Sequence, residues 1–293
     1  MPMQRAARCT PDISNRSVDA MSSLPPFDQA HGLRQLFAQA QVRYVPVVSN
    51  PHVAFGGLML ERLCAGFAER GLHTLVVDAS ERAAQPAEAS LFELAACIEP
   101  LSARMSYLAA RGLPARYVDS TGSTEPFLGA LVEASPASQV VLVHAPAADL
   151  CRLFARQARH ADGGPICPLL LADDRPTSVT HAYAAMKLLA TRAGLRVHEL
   201  LLGASTQSPR AARIAVQIAV CADEYLGAML RDWMLVDPSA VGRQALTPAL
   251  RRWVAQRLQR NGTVDSTTAA TIDIPGPQGS GGTRFTASNQ AFH

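Results

Sequence analysis

The segment from Val45 to Gly71 comes nearest to phosphate chemistry in its residue types and their spacing. A loop that holds a nucleotide phosphate needs small residues around the anion, a lysine for its charge and a Ser or Thr hydroxyl for magnesium. Between Ser49 and Leu58 only Gly56 and Gly57 are small enough, and no lysine is present. Lys187 is the only lysine in the chain, so no other segment supplies such a loop. The sequence therefore predicts the shape of a phosphate-binding loop without its chemistry.

Two further residues that could do chemistry stand at the ends of apolar runs. Asp78 closes LHTLVVD, and His144 closes QVVLVH. Parallel strands deliver such residues to a site at their carboxyl ends, although a strand-terminal Asp is about as often a turn cap. A lone His in this position is more often structural than a catalytic base, and no motif places a Ser or Cys nucleophile beside it. Asp78 and His144 are therefore candidate site residues with a structural alternative.

Alternating strands and helices must position these residues. After the Val45–Gly71 unit, apolar runs such as Gln139–His144, Ile166–Ala172 and Leu195–Leu202 alternate with helical patterns. This alternation predicts an α/β fold with a doubly wound, mostly parallel sheet flanked by helices. The intervening stretch is harder to interpret: we expect a helix over Ser90–Met105 that is interrupted at Pro100, and a short strand over Ala115–Asp119.

The two ends of the chain differ in character from this domain. Residues 1–26 are polar and aperiodic and predict a disordered leader, and residues 261–293 predict a disordered tail. Residues 27–41 predict a helix capped by Asp28, which either packs on the core or binds a partner. The domain itself spans residues 42–260 and includes a C-terminal amphipathic helix over 246–260. Its Leu250, Trp253 and Val254, beside Arg251 and Arg252, suit either packing on the domain or contact with an anionic membrane.

Composition excludes several classes of function. The chain has 293 residues and a formal net charge of +3 without a basic stripe, so no direct contact with nucleic acid is expected. The six cysteines form no C-x-x-C pair and the eight histidines no H-x-x-x-H pair, so no metal site is expected. No apolar run reaches the roughly 20 residues of a membrane-spanning helix, and the first residues lack the compact apolar core of a secretion signal. These features predict a cytoplasmic protein.

Three segments together resemble the MinD/ParA-like flagellar-number regulators called FlhG or FleN. DQAHGLR, from Asp28 to Arg34, resembles the DQAxxLR motif of that family, and the Val45–Gly71 unit aligns with its Walker A unit. RPTSVTHAYAAMKLL is similar to its PTSxTDAYxxIK segment, with Lys187 in the matching place. The resemblance covers about residues 27–260 and implies the MinD/ParA-like P-loop NTPase fold.

The departures from this family fall where ATP would be handled. Pro51 stands in place of the signature lysine, Gly56 in place of the phosphate-binding lysine, and Gly57 in place of the Ser or Thr that holds magnesium. His144 takes the place of the Walker B aspartate, and Ser80 replaces the second acid of the motif that Asp78 begins. The asparagine expected near Gly203 for adenine is also missing. The resemblance thus implies a degenerate nucleotide site made of Pro51, Gly56, Gly57, Asp78 and His144, without bound ATP or magnesium.

The resemblance implies a non-enzymatic regulator of flagellar number that acts through partners. The DQAxxLR helix of the family stimulates the FlhF-type GTPase of the signal-recognition-particle class, so Gln29 is expected to act in trans, with Asp28, Ala30, Leu33 and Arg34 binding that partner. Further expected partners are a flagellar transcriptional activator or C-ring component, with peripheral contact at the inner face of the membrane or the cell pole. The alternatives are a MinD/ParA-type ATPase with an unconventional pocket that dimerises on ATP, and an anti-activator of a flagellar transcription factor.

Overall fold

The computed structural model describes residues 42–86, 93–156 and 166–259, which form an eight-stranded sheet with helices on both faces. The strands are β1 (Arg43–Val48), β2 (Thr74–Asp78), β3 (Glu99–Ser102), β4 (Met105–Ala109), β5 (Val140–Ala145), β6 (Leu169–Asp173), β7 (Val197–Gly203) and β8 (Met229–Val236). The α-helices of these ranges are α1 (Gly56–Ala68), α2 (Pro126–Ala134), α3 (Ala147–Phe154), α4 (Pro176–Ala193), α5 (Pro209–Leu226) and α6 (Pro248–Gln259).

The strands follow the spatial order β3-β4-β2-β5-β1-β6-β7-β8. All neighbouring strands are parallel except β3 and β4, which pair antiparallel. The prediction of a doubly wound, mostly parallel sheet is therefore confirmed. The chain leaves β1 for α1 on one face and leaves β5 for α3 on the other face. Such a divergence opens a crevice at the carboxyl ends of the central strands, where α/β proteins bind ligands.

Two apolar cores hold the helices to the sheet. Every residue of β5 is buried, as expected for a central parallel strand that is covered on both faces. Val141 and Val143 pack into the core beneath α2 to α5, whereas Leu142 packs with α1 and α6 on the opposite face. The alternation along β5 thus ties both helical layers to the strand that carries His144.

The interpretation of the stretch between β2 and α2 was wrong in two places. Within the described part of Ser90–Met105 the chain forms a 3-10 turn over Ala95–Cys97 and then β3, and β4 follows. Pro100 has no N–H to donate and therefore suits the edge strand β3 rather than a helix interior. Residues Ala115–Asp119 form no strand, because Pro114 begins a 3-10 turn that runs to Tyr117.

Candidate functional site

The predicted strand-loop-helix unit over Val45–Gly71 is present as β1, the loop 49–55 and α1, which confirms this local prediction. Met59, Leu63 and Phe67 bury one face of α1 against the sheet. Gly71, with a φ of +80°, turns the chain back toward β2, a conformation that residues with a side chain rarely adopt. The unit places the loop 49–55 at the carboxyl edge of the sheet.

A cavity of about 420 Å³ lies beside this loop. The cavity is bordered by all five residues that the sequence assigned to a degenerate nucleotide site, namely Pro51, Gly56, Gly57, Asp78 and His144. They meet because β5 lies between β1 and β2, so that the ends of the three strands are adjacent. The structure therefore brings together residues that are far apart in the sequence.

Asp78 and His144 form a hydrogen-bonded pair beside this cavity. The Nδ1 atom of His144 lies 2.9 Å from Oδ1 of Asp78, and the backbone N–H of Ser80 donates to the same oxygen at 3.1 Å. Burial of Asp78 favours its neutral form, but the hydrogen bonds and charge supplied by His144 and Ser80 outweigh that effect and hold its pKa below the usual value. An ionised carboxylate only accepts hydrogen bonds, so Nδ1 of His144 carries the proton.

A second acidic residue, Asp173, fastens the loop 49–55 from the side of β6. Its carboxylate accepts a hydrogen bond from the backbone N–H of Ala54 at 3.3 Å and from Nε of Arg175 at 3.0 Å. The Arg175 guanidinium also donates to the carbonyl of His52. Burial opposes ionisation of Asp173, but the bonds from Arg175 and Ala54 hold its pKa below the usual value. We refer to Asp173 and Arg175 as the clasp.

The residues 176–178, the PTS of the segment RPTSVTHAYAAMKLL, help to hold the start of the same loop. The Asn50 side chain donates to the backbone carbonyls of Leu171 at 2.8 Å and Ser178 at 3.0 Å. The fully buried Ser178 hydroxyl in turn accepts the backbone N–H of Asp173 at 3.0 Å. In this structure the segment therefore positions the loop, whereas Lys187 is exposed and does not border the cavity.

The sequence interpretation missed Asp173 and Asn50. Asp173 ends β6 just as Asp78 ends β2, so the argument from strand-terminal acids applied equally to both. Asn50 follows β1 directly, where a short amide side chain can bond to neighbouring backbone groups. The position of Asp173 at the end of a strand was enough to identify it as a candidate site residue. The role of Asn50 could not be identified in this way, because its hydrogen-bond partners come from two other segments of the chain.

The two glycines at the start of α1 and the guanidinium of Arg82 also border the cavity. A Cβ atom at Gly56 or Gly57 would meet nothing within 4 Å, and no side chain caps the N-terminus of α1, which these two residues begin. Arg82 borders the cavity and donates to the carbonyl of Pro51. In residues 42–86, 93–156 and 166–259, no group of three His, Cys, Asp or Glu side chains is placed to hold a metal ion.

The residues predicted to bind a partner GTPase lie outside the described residues. They are Asp28, Gln29, Ala30, Leu33 and Arg34, together with the rest of the predicted leader and N-terminal helix. The predicted tail over 261–293 and the last residue of the predicted C-terminal helix lie outside them as well.

The C-terminal amphipathic helix is α6, and its apolar face packs on the domain. Leu250, Trp253 and Val254 are fully buried, and the Trp253 ring lies edge-on to Phe67 of α1 with 6.1 Å between the ring centres. Of the two arginines predicted beside this face, Arg251 pairs with Glu69 at 2.9 Å and Arg252 is exposed. This arrangement corresponds to the packing alternative of the sequence interpretation. None of the described helices is long and apolar enough to cross a membrane.

A buried charged cluster fixes α6 to β7 and β8. Glu199 is fully buried and accepts hydrogen bonds from Nε1 of Trp253 at 2.6 Å and from Nε of both Arg231 and Arg257 at 3.1 Å. Burial raises the pKa of a carboxyl, but the two guanidinium groups outweigh it and leave the pKa of Glu199 lowered. Contact between the apolar face of α6 and a membrane would require separation of Trp253 and Arg257 from this buried carboxylate.

Comparisons with known proteins identify the fold. No protein-family model matches the sequence, and no curated protein does so. The structure of cobyrinic acid a,c-diamide synthase from Mycobacterium smegmatis with bound ADP and magnesium is similar, with a TM-score of 0.50, 14% identity, and coverage of 76% of this chain and 97% of that chain.

Two other solved structures are more distant. MinD in the MinC:MinD complex of Aquifex aeolicus has a TM-score of 0.46 at 12% identity, covering 78% of this chain and 98% of that chain. McdA from Cyanothece, as an ATP complex of a variant, has the same score and identity, covering 78% of this chain and 99% of that chain. The strand order and the similarity to the synthase show that this chain has the fold of the MinD/ParA-type P-loop NTPases.

Proposed function

We propose that this protein is a non-enzymatic regulator of flagellar biosynthesis, a MinD-like scaffold that has lost ATP hydrolysis and acts by binding partners. The observation that carries the proposal is the set of residues around the cavity. Pro51 and Gly56 stand where lysines would contact phosphate, Gly57 where a hydroxyl would hold magnesium, and His144 where an aspartate is expected. Phosphoryl transfer depends on such cations for positioning and charge stabilisation, and their joint loss removes both.

The clasp formed by Asp173 and Arg175 also supports the proposed loss of ATP hydrolysis. In a phosphate-binding loop, backbone N–H groups face the anion. Here the Asp173 carboxylate already accepts the N–H of Ala54, and it would repel a phosphate placed beside it. Arg175 does not compensate, because its guanidinium is bound to Asp173 and to the carbonyl of His52. The side chains at this site therefore do not fit a magnesium-bound nucleotide.

The activity we propose lies in the N-terminal segment with the sequence DQAHGLR. In the resembling family this motif stimulates a partner GTPase of the FlhF type. A glutamine supplied in trans can orient the water that attacks GTP. We assign this role to Gln29, with Leu33 and Arg34 contacting the partner. The folded domain would then present the segment, without a nucleotide cycle of its own.

The test is the GTPase rate of the cognate FlhF-type protein with the full-length chain added. We expect stimulation by the wild-type chain and its loss in Gln29→Ala, because alanine cannot orient water. Gln39→Ala, in the same predicted helix but outside the DQAHGLR motif, is the matched control and should stimulate normally. Equal stimulation by Gln29→Ala would exclude the assigned role, and no stimulation by the wild-type chain would overturn the proposed partner.

The loss of ATP binding is tested separately by calorimetry. We expect no heat of binding when magnesium and ATP are titrated into the full-length protein, because the clasp and the missing lysines leave no cationic phosphate site. Binding of ATP, above all with dimerisation, would instead favour the ATPase alternative.

A further inference from the structure

The outward face of α5 carries two exposed valines that lie one helical turn apart. Val216 is 61% exposed and Val220 is 54% exposed. Residues four apart in an α-helix lie on the same face, so these two side chains form one apolar patch. The opposite face of α5 packs on the sheet through Ala211, Ala215, Ile218 and Ala222. The valines therefore lie on the side of α5 that the core does not use.

Exposed charges of opposite sign flank this patch. Arg210 and Arg213 precede the valines, and Asp223 and Glu224 follow them. No ion pair joins any of these four side chains to another residue in the described ranges. Their order is also the reverse of the one that the helix dipole favours, since acids suit the first turn of a helix and bases suit the last. These charges therefore do not serve the stability of α5 itself.

The spacing of these side chains is symmetric about residue 218. Val216 and Val220 lie two residues to either side of it, and Arg213 and Asp223 lie five residues, or about 7.5 Å, to either side. At about 100° per residue, these four side chains fall within about 80° of the circumference of the helix. A second α5, placed antiparallel across this face, would bring the basic half of each helix level with the acidic half of the other.

This symmetry points to a second copy of the chain as the occupant of the face. A two-fold interface joins the same patch on both copies, so the basic half of α5 would meet the acidic half twice. A partner of one charge would attract only one half of the face and would be repelled by the other half. No residue of α5 borders the cavity, so contact through this face would leave the cavity open.

We infer that two copies of this chain associate through the outward faces of their α5 helices, which pack antiparallel about a two-fold axis. Val216 and Val220 of both copies form the apolar centre, and Arg213 of each copy pairs with Asp223 and Glu224 of the partner subunit. A single pair of helices gives an interface at the low end of the size range, below about 1,200 Å², so we expect a weak dimer. The inference goes beyond the proposed function and needs neither a nucleotide nor the N-terminal segment.

Sedimentation velocity of the full-length protein without nucleotide, from about 5 to about 500 µM, tests this inference. We expect the wild-type chain to shift from monomer to dimer as its concentration rises. Arg213→Glu should weaken the dimer at least about tenfold, because it places like charges together at both ends of the interface. The double variant Asp223→Arg/Glu224→Arg should weaken it for the same reason. The matched control is Arg252→Glu, an equal change of charge at an exposed position of α6 on the other face of the sheet, which should dimerise as the wild type does.

A mixture of the two charge variants guards against misfolding as the cause of a lost dimer. Arg213→Glu and Asp223→Arg/Glu224→Arg should each stay monomeric alone, but together they should form a heterodimer, because opposite charges then meet at both ends. A wild-type chain that stays monomeric throughout, a dimer that neither variant weakens, or a mixture that stays monomeric would overturn the inference. None of these results would alter stimulation of the partner GTPase, which tests the proposed function separately.

Discussion

His198 on β7 predicts a measurable dependence of stability on pH. Its ring is fully buried, and neither ring nitrogen has a hydrogen-bond partner among the described residues. Burial lowers the pKa of His198 from 6.5 to about 4, because the protonated ring would be a buried charge. The unfolded chain thus binds a proton more readily than the folded protein between these two values. Stability should therefore rise with pH across this window and fall as the pH is lowered from 6.5 toward 4.

The expected magnitude follows from the two pKa values of His198. A difference of about 2.5 pH units corresponds to about 3 kcal/mol of lost stability once both states are protonated. At about pH 5 the unfolded His is nearly all protonated and the folded one nearly all neutral, so the loss is about 2 kcal/mol. The lowered pKa values of Asp78, Asp173 and Glu199 act mostly at lower pH, since unfolded carboxyls titrate near pH 4.

Urea unfolding of the wild-type chain and of His198→Leu at about pH 7.5 and about pH 5 measures this effect. Leucine is similar in size and needs no hydrogen bond, so the variant should be more stable at both values, by about 1 kcal/mol at the higher pH. Its advantage should grow by about 2 kcal/mol at the lower pH. The comparison removes the contribution of every other titrating group. An equal pH dependence in the two proteins would refute the reasoning.

Two further predictions concern α6 and the helix glycines. Glu199→Gln should lower the free energy of unfolding, measured in urea, by about 3–5 kcal/mol, because it leaves two guanidinium groups without their buried charged partner. The exposed Glu69→Gln is the control and should change this free energy little. Similar losses in the two variants would contradict a stabilising role for the buried Glu199 cluster. Gly129→Ala, in an open position of α2, should raise the free energy of unfolding by about 0.5–1 kcal/mol. Gly66→Ala should lower it, because the new Cβ would lie 3.0 Å from the Val254 side chain. A more stable Gly66→Ala variant would contradict the close packing of α1 on α6.

The sequence predicted the fold well because its parallel strands are short apolar runs bounded by helices. The runs in β5 and β6 are apolar up to their last residues, and such runs without a polar face are characteristic of a covered parallel sheet. The antiparallel pair β3 and β4 was missed because β3 is exposed and carries no apolar pattern. In the site, strand ends identified Asp78 and His144. The contacts of Asn50 and the clasp could not be predicted in detail, since they depend on side-chain geometry between segments more than 100 residues apart.

The loop 49–55, which has the strand-loop-helix setting of a phosphate-binding loop, is held in place by side chains of this chain. Its backbone needs partners for its polar groups, and a bound anion would supply some of them. In this protein Oδ1 of Asn50 accepts the backbone N–H of His52 at 3.0 Å, Arg175 donates to the carbonyl of His52, and the Asp173 carboxylate accepts the backbone N–H of Ala54. The same bonds that hold the loop also occupy groups that a phosphate would use. Retention of the fold and the proposed loss of nucleotide chemistry are therefore compatible, and both would have a common physical cause in these three side chains.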